Sequence, residues 1–141
     1  MCWFFNFMRA VKCAFCCMPQ VIVDFVFDGG LLHISVKNIG NDSAYRISVV
    51  FEPGFRGIEG STDISNLAVF NHLEFLPPQK EVVTFLDRSA SYFRRNEPTR
   101  ITTKITFHNS RGKEFCNVIT HNLEIYRDIG FVERRICMHS D

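Results

Sequence analysis

Residues 31–51, LLHISVKNIGNDSAYRISVVF, limit the possible folds more than any other stretch of the chain. Leu32, Ile34 and Val36 alternate with His33, Ser35 and Lys37, and further on Tyr45, Ile47, Val49 and Phe51 alternate with Arg46 and Ser48. A period of two turns one set of side chains into a core and the other toward water, which is the pattern of a half-buried strand; a helix repeats every 3.6 residues. The β-branched content favours the same assignment. Between the two runs, Asn38, Gly40, Asn41 and Asp42 are residue types that accept positive φ or bond their own backbone. The chain therefore reverses there, and the stretch reads as the opening hairpin of a β-sandwich.

The alternation recurs along the chain. Val21, Val23, Phe25 and Phe27 point inward, and Asp28-Gly29-Gly30 makes a tight turn into the next strand. Residues 81–86 form a further strand. Ile101, Thr103, Ile105 and Phe107 make one arm of a closing hairpin that turns at Asn109-Ser110-Arg111-Gly112. Its other arm, residues 115–125, puts Phe115, Ile119, Leu123 and Ile125 on one face with Asn117 and His121. A histidine on an apolar face reads as a hydrogen-bonded rim or core residue. Leu67, Val69, Leu73 and Phe75 predict one more strand before the double proline at Pro77 and Pro78. The longest irregular stretch, residues 52–66, carries Gly54, Gly57 and Gly60. No Lys-Ser/Thr follows them, so they are no phosphate-binding loop, and they predict a crossing from one sheet to the other. With 141 residues and 46% apolar content the chain supports a single core, rich in its 15 phenylalanines.

The run Val36-Lys37-Asn38-Ile39-Gly40-Asn41, then Ser43-Ala44-Tyr45 and a second strand over residues 46–51, resembles the CARDB-like (cell-adhesion-related) immunoglobulin-like domains of prokaryotic proteins. LEFLPP, residues 73–78, sits where that family often has a leucine, proline and glycine turn, although Gln79 follows the prolines here. The resemblance covers residues 20–127. It implies a seven-stranded antiparallel immunoglobulin-like β-sandwich that binds, spaces or interacts, and it brings no catalytic residues.

Residues 1–18, MCWFFNFMRAVKCAFCCM, are unlike everything after them. On a helix, Asn6, Arg9, Lys12 or Cys13, and Cys16 fall on one narrow stripe, leaving Trp3, Phe4, Phe7, Met8, Val11, Ala14, Phe15 and Met18 around a broad apolar face. The segment is barely long enough to span a bilayer, and Arg9 and Lys12 would each cost roughly 2.5–3.5 kcal/mol at its centre. The charges lie inside the apolar run and no small-x-small site follows, which argues against a secretory signal. Two readings stand: an interfacial anchor, with Trp3, Phe4 and Phe7 among headgroups and Arg9 and Lys12 toward anionic lipid, or a helix packed on the sandwich or on a second copy. Pro19 ends the helix.

Of the six cysteines, Cys2, Cys13, Cys16 and Cys17 lie in this segment. Cys13, Cys16 and Cys17 share one side of a helix and are candidate ligands for a soft metal. No second Cys-x-x-Cys completes a zinc site, so the reading is of small apolar residues with no cofactor. A metal- or redox-responsive protein is the alternative, and a thiol count with bound-metal analysis separates the two.

The formal charge of +1 is unevenly spread. Residues 88–113 hold seven basic residues and one acidic, Glu97, whereas residues 42–87 hold seven acidic and three basic, which predicts two electrical faces. Tyr92, Phe93, Arg94 and Arg95 set two aromatics beside two guanidiniums in a predicted loop, residues 87–99, and with Phe55 and Arg56 they are the binding candidates. No nucleophile elbow, helical histidine pair or dinucleotide fingerprint is present. An unrecognised hydrolase would need its site between residues 52–66 and 87–99. The expectation is an amphipathic helix over 1–19, a sandwich over 20–127 and a tail over 128–141. Its function is that of a non-catalytic cytoplasmic interaction module that binds a protein partner or itself, with peripheral membrane contact and no nucleic acid.

Overall fold

The structure, a computed structural model, describes residues 17–127. Among them the chain is mostly β: β1 (Val21–Asp28), β2 (Leu31–Asn38), β3 (Ala44–Glu52), β4 (Arg56–Gly57), β5 (Thr62–Asp63), β6 (Leu73–Leu76), β7 (Glu81–Arg88), β8 (Arg100–His108) and β9 (Glu114–Asn122). Two short helices, α1 (Ala68–Asn71) and α2 (Ser89–Arg94), a 3-10 turn at Ile64–Asn66 and helical residues 125–127 accompany them. The strands form a three-stranded sheet, β1-β2-β7, a four-stranded sheet, β6-β3-β8-β9, and a two-stranded ribbon, β4-β5. All pairings are antiparallel. The predicted N-terminal helix and the tail lie outside the described residues.

The core gathers the inward faces of both larger sheets. Val21, Val23 and Phe25 of β1 and Leu32, Ile34 and Val36 of β2 are buried in one cluster with Ile47, Val49 and Phe51 of β3 and Ile101, Ile105 and Phe107 of β8. Phe25 meets Phe51 edge-on across the sheets, with ring centroids 6.4 Å apart. Each such side chain contributes about 1.5–3 kcal/mol by leaving water.

Residues 31–51 are two strands, but they are not a hairpin. β2 pairs with β1 and β7, whereas β3 pairs with β6 and β8, so residues 39–43 cross from one sheet to the other. The side chain of Asn38, fully buried, organises this crossing. Its Oδ1 accepts the N–H groups of Gln20 (3.1 Å) and Gly40 (2.9 Å), and its Nδ2 donates to the carbonyls of Asp42 (2.8 Å) and Leu76 (3.0 Å). All four bonds an amide can make are filled. Further bonds run from Asn41 N–H to Met18 O and from Ile39 N–H to Gln20 O, so the strap of residues 18–20 is stitched to the crossing. A Cβ at Gly40 would lie 2.2 Å from Met18 O, so only glycine lets the strap come this close.

Four other expectations change. Residues 67–75 are not one strand. Ala68–Asn71 is helical, and it is Phe70 that is fully buried, while Val69 only packs against the core. The helix is tied down by Asn71 Nδ2, which donates to Ser65 O and Leu67 O. Residues 52–66 do not cross between sheets, because they connect β3 to β6 of the same sheet through the β4-β5 ribbon. The second arm of the closing hairpin ends at Asn122, which leaves Ile125 exposed while Leu123 stays buried. Within β3, Arg46 takes a positive φ of 49° at a break in register, so Ala44 and Ile47 both face inward and Tyr45 turns out against Phe75.

The outer edge of β1 is closed by side chains from beyond its own sheet. Asn117 Nδ2 donates to Val21 O (2.9 Å) and Tyr126 Oη donates to Phe25 O (2.7 Å), while the His121 ring packs edge-on against Phe25 between them (4.9 Å). Covering an edge in this way removes a template for pairing with other chains. Burial against Phe25 lowers the pKa of His121 below its ordinary 6.5, against the opposing effects of the Asp24 charge and the nearby Val23 backbone. A depressed histidine contributes stability that is present above its unfolded pKa and lost as pH falls through the folded one. The denaturation midpoint is therefore expected to drop as pH falls below about 6.5, and His121→Gln to flatten that drop; an unchanged acid loss in the variant would assign it to another group.

Candidate functional site

The strand directions place two distinct clusters at opposite ends of the sheets. At the end where β7 runs into α2, the two stretches singled out by sequence, residues 52–66 and 87–99, meet. Arg95 is the joint. Its Nη1 pairs with Asp87 Oδ2 (2.8 Å) and bonds Ser91 Oγ (2.8 Å), its Nε reaches Glu97 Oε2 (3.3 Å), and its Nη2 donates to Arg56 O (3.0 Å). Glu97 returns a bond by accepting the Arg56 N–H (3.1 Å). Asp87 is 1% exposed and its other oxygen accepts the N–H groups of Glu59 and Arg88. Burial works to lower the Arg95 pKa, but the bonds to Asp87 and Glu97 outweigh it and raise it. The Ser91 hydroxyl, then Arg88, hold Glu59 below the ordinary carboxylate value.

The predicted loop at 87–99 is the end of β7 followed by α2, and this changes the standing of its aromatics. Tyr92 is completely buried, Phe93 nearly so, and Phe55 joins them in the core. Phe55 packs edge-on against Phe51 (5.1 Å) and Tyr92 (6.3 Å). Burial, then the charge of Glu97, pushes the Tyr92 phenol well above its ordinary pKa, and its hydroxyl donates to Pro98 O. Arg56 bonds Gly60 O and Ser61 O within its own ribbon. Of the six binding candidates, Arg94 and Arg56 are exposed, Arg95 is committed to the joint, and Tyr92, Phe93 and Phe55 are core. The polar groups that sequence brings to this end satisfy one another and form a clasp.

At the opposite end, the entry strap lies beside the β8-β9 hairpin tip. A groove of about 510 Å³ is lined by Cys17, Met18, Asp42, Arg111, Lys113 and Phe115 among others. A second, of about 470 Å³, runs behind the strap past Pro19, Gly40, Phe107 and Cys116. The tip is rigid: Asn109 Oδ1 accepts the N–H groups of Arg111 (2.9 Å) and Lys113 (2.9 Å), and Gly112 takes a φ of 86° that other residues resist. Lys113 Nζ sits 5.4 Å over the Phe115 ring. This end is open and mixed in polarity, which suits a surface contact more than enclosure of a small molecule.

Residues 17–127 match a family described as a domain of unknown function, DUF8453. The chain belongs to the DUF8453 family. A search of curated proteins found no match. The DUF8453 match starts at Cys17, so the aromatic residues Trp3, Phe4 and Phe7 and the cationic Arg9 and Lys12 precede it, and these, with Cys13 and Cys16, lie outside the described residues. Cys17 is exposed at the groove. Among the described residues, no three His, Cys, Asp or Glu side chains are placed to hold a metal ion, and no helix is long and apolar enough to cross a membrane.

The fold also divides the basic stretch at 88–113 of this DUF8453 chain. Arg88, Arg94, Arg95 and Arg100 belong to the clasp end, Lys104 to the outer face of β8, and Arg111 and Lys113 to the hairpin end. The basic run of the sequence is thus divided between the two ends of the fold and the outer face of β8. Sequence reasoning passed over Asp87 and saw Asn38 only as a turn former. The available signal was an asparagine closing a strand two residues before a glycine.

Proposed function

We propose that the chain is a seven-stranded immunoglobulin-like sandwich that works as a non-catalytic interaction module, held at a membrane surface through residues 1–18. The strand orders β1-β2-β7 and β6-β3-β8-β9 support the sandwich, and the Asn38–Gly40 crossing is where the CARDB-like resemblance rests. The observation that carries the membrane reading is the fixed entry point. The main chain at Met18 and Gln20 is bonded to the crossing at residues 39–41, so a segment bearing Trp3, Phe4 and Phe7 departs from one defined end, beside Arg111 and Lys113. Aromatic side chains preceding a cationic surface fit an interface with anionic lipid.

The test is co-sedimentation of the full chain with phosphatidylcholine vesicles, with and without phosphatidylserine. The chain is expected to pellet, more so with phosphatidylserine, and Phe4→Glu with Phe7→Glu to weaken binding on the order of tenfold or more. If the full chain stays in the supernatant with both vesicles, the anchor reading is wrong and the segment belongs to packing or self-association.

A further inference from the structure

The charges at the two ends of the molecule are used differently. Among the described residues, Arg88 pairs with Glu59, Arg95 with Asp87 and Glu97, and Arg127 with Glu124, all toward the clasp end. None of the ion pairs found among the described residues uses Arg46, Arg111 or Lys113. These three cations gather at the hairpin tip. Arg111 and Lys113 line one groove, and the Arg46 guanidinium lies 4.0 Å from where a Cβ on Gly112 would be. The positive φ of Arg46 belongs to the bulge that breaks the β3 register next to this tip. Two carboxylates lie nearby without pairing to these cations: Asp42, which lines the same groove and accepts the Ser43 N–H at Oδ1 (2.9 Å), and Glu114, which is 3.5 Å from His108.

The position of this cluster is as informative as its charge. Cys17 and Met18 share the groove with Arg111 and Lys113, and the bonds from Asn41 and Ile39 hold the strap there. The tip needs no reorganisation to meet a partner, since Asn109 has already ordered its backbone. We propose that the β8-β9 tip, Arg111 and Lys113 with Arg46 behind them, is a second membrane contact that binds anionic lipid headgroups once residues 1–18 have entered the interface. This deepens the membrane reading and rests on it. Apolar insertion and cationic attraction act together in such systems, each making the other's contact effectively intramolecular.

The full chain carrying Arg111→Glu and Lys113→Glu tests this. Both side chains are exposed, and the bonds that shape the tip come from their backbone N–H groups, so the thermal midpoint is expected to match the parent within experimental error. On phosphatidylcholine vesicles containing phosphatidylserine, R111E/K113E is expected to bind on the order of thirtyfold more weakly than the parent, and to lose most of the salt dependence. On phosphatidylcholine alone the two should bind alike. If R111E/K113E binds the phosphatidylserine vesicles like the parent while F4E/F7E does not, the tip contact is refuted and the anchor stands. If the parent binds no vesicle at all, the anchor reading has failed and this inference goes with it. Equal loss on both vesicle types would also overturn it, since a headgroup contact requires selectivity for anionic lipid.

Discussion

Asn38→Ala is expected to reduce the unfolding free energy by about 3 kcal/mol, one of the two largest effects of any substitution considered. The amide is wholly buried and makes four bonds to backbone groups from three separate segments: the strap, the crossing and the end of β6. Truncation leaves the Gln20 and Gly40 N–H groups and the Asp42 and Leu76 carbonyls without that partner. A buried unsatisfied group costs about 1–3 kcal/mol, and the total stays below the sum because a small cavity admits water to some of them. Chemical denaturation measures the loss, and hydrogen exchange at the Gln20 and Gly40 amides locates it. N38D separates bonding from volume. It keeps the shape and both acceptors but removes the two donors and buries a charge, so a cost at least equal to that of alanine is expected. A nearly neutral N38D would refute the hub.

Arg95→Met is expected to cost about 3–5 kcal/mol, because it strips the buried carboxylate of Asp87 of its counter-ion and leaves the clasp open. The guanidinium also holds Glu97, Ser91 and the Arg56 carbonyl, so the ribbon β4-β5 and helix α2 lose their common tie. Much of the penalty comes from stranding the charge, and only part from losing the pair. Combining R95M with Asp87→Asn should therefore recover a large share, although the asparagine must still accept the Glu59 and Arg88 N–H groups at the oxygen position that serves them now. Equal costs for R95M and the double variant would mean that the ion pair is not what makes the clasp.

The candidate site shows how far local pattern reaches. Residues 52–66 and 87–99 were both visible as interruptions of the strand rhythm, and both do meet in space. Their aromatics and arginines looked available for a ligand because a sequence of Tyr-Phe-Arg-Arg gives no sign of whether a neighbour already occupies it. Some of these neighbours are local, since Asp87 and Glu97 of the same stretch take up Arg95, and others lie far along the chain, where Phe55 fills the space beside Tyr92 and the Arg56 carbonyl accepts from Arg95. The cationic hairpin tip was equally hidden. Arg111 and Lys113 appeared as the end of one long basic stretch, and only the reversal between β8 and β9 carries them away from Arg94 and Arg100 to the strap.

What the sequence determined by itself is the set of long strands β1, β2, β3, β7, β8 and β9, with the inward faces of β1, β2 and β8, together with the tight turns at Gly29-Gly30 and at residues 109–112. Alternation of apolar residues is a property of a few neighbours, and the positive φ of Gly29, Gly30 and Gly112 is a property of single residues. The tertiary structure alone decided which strands pair. Leu32, Ile34 and Val36 would have alternated identically beside β3, yet β2 lies between β1 and β7. Backbone hydrogen bonds are the same for every partner, so the choice falls to the long-range fit of side chains: Asn38 closing the crossing at one end and Asp87 with Arg95 closing the clasp at the other.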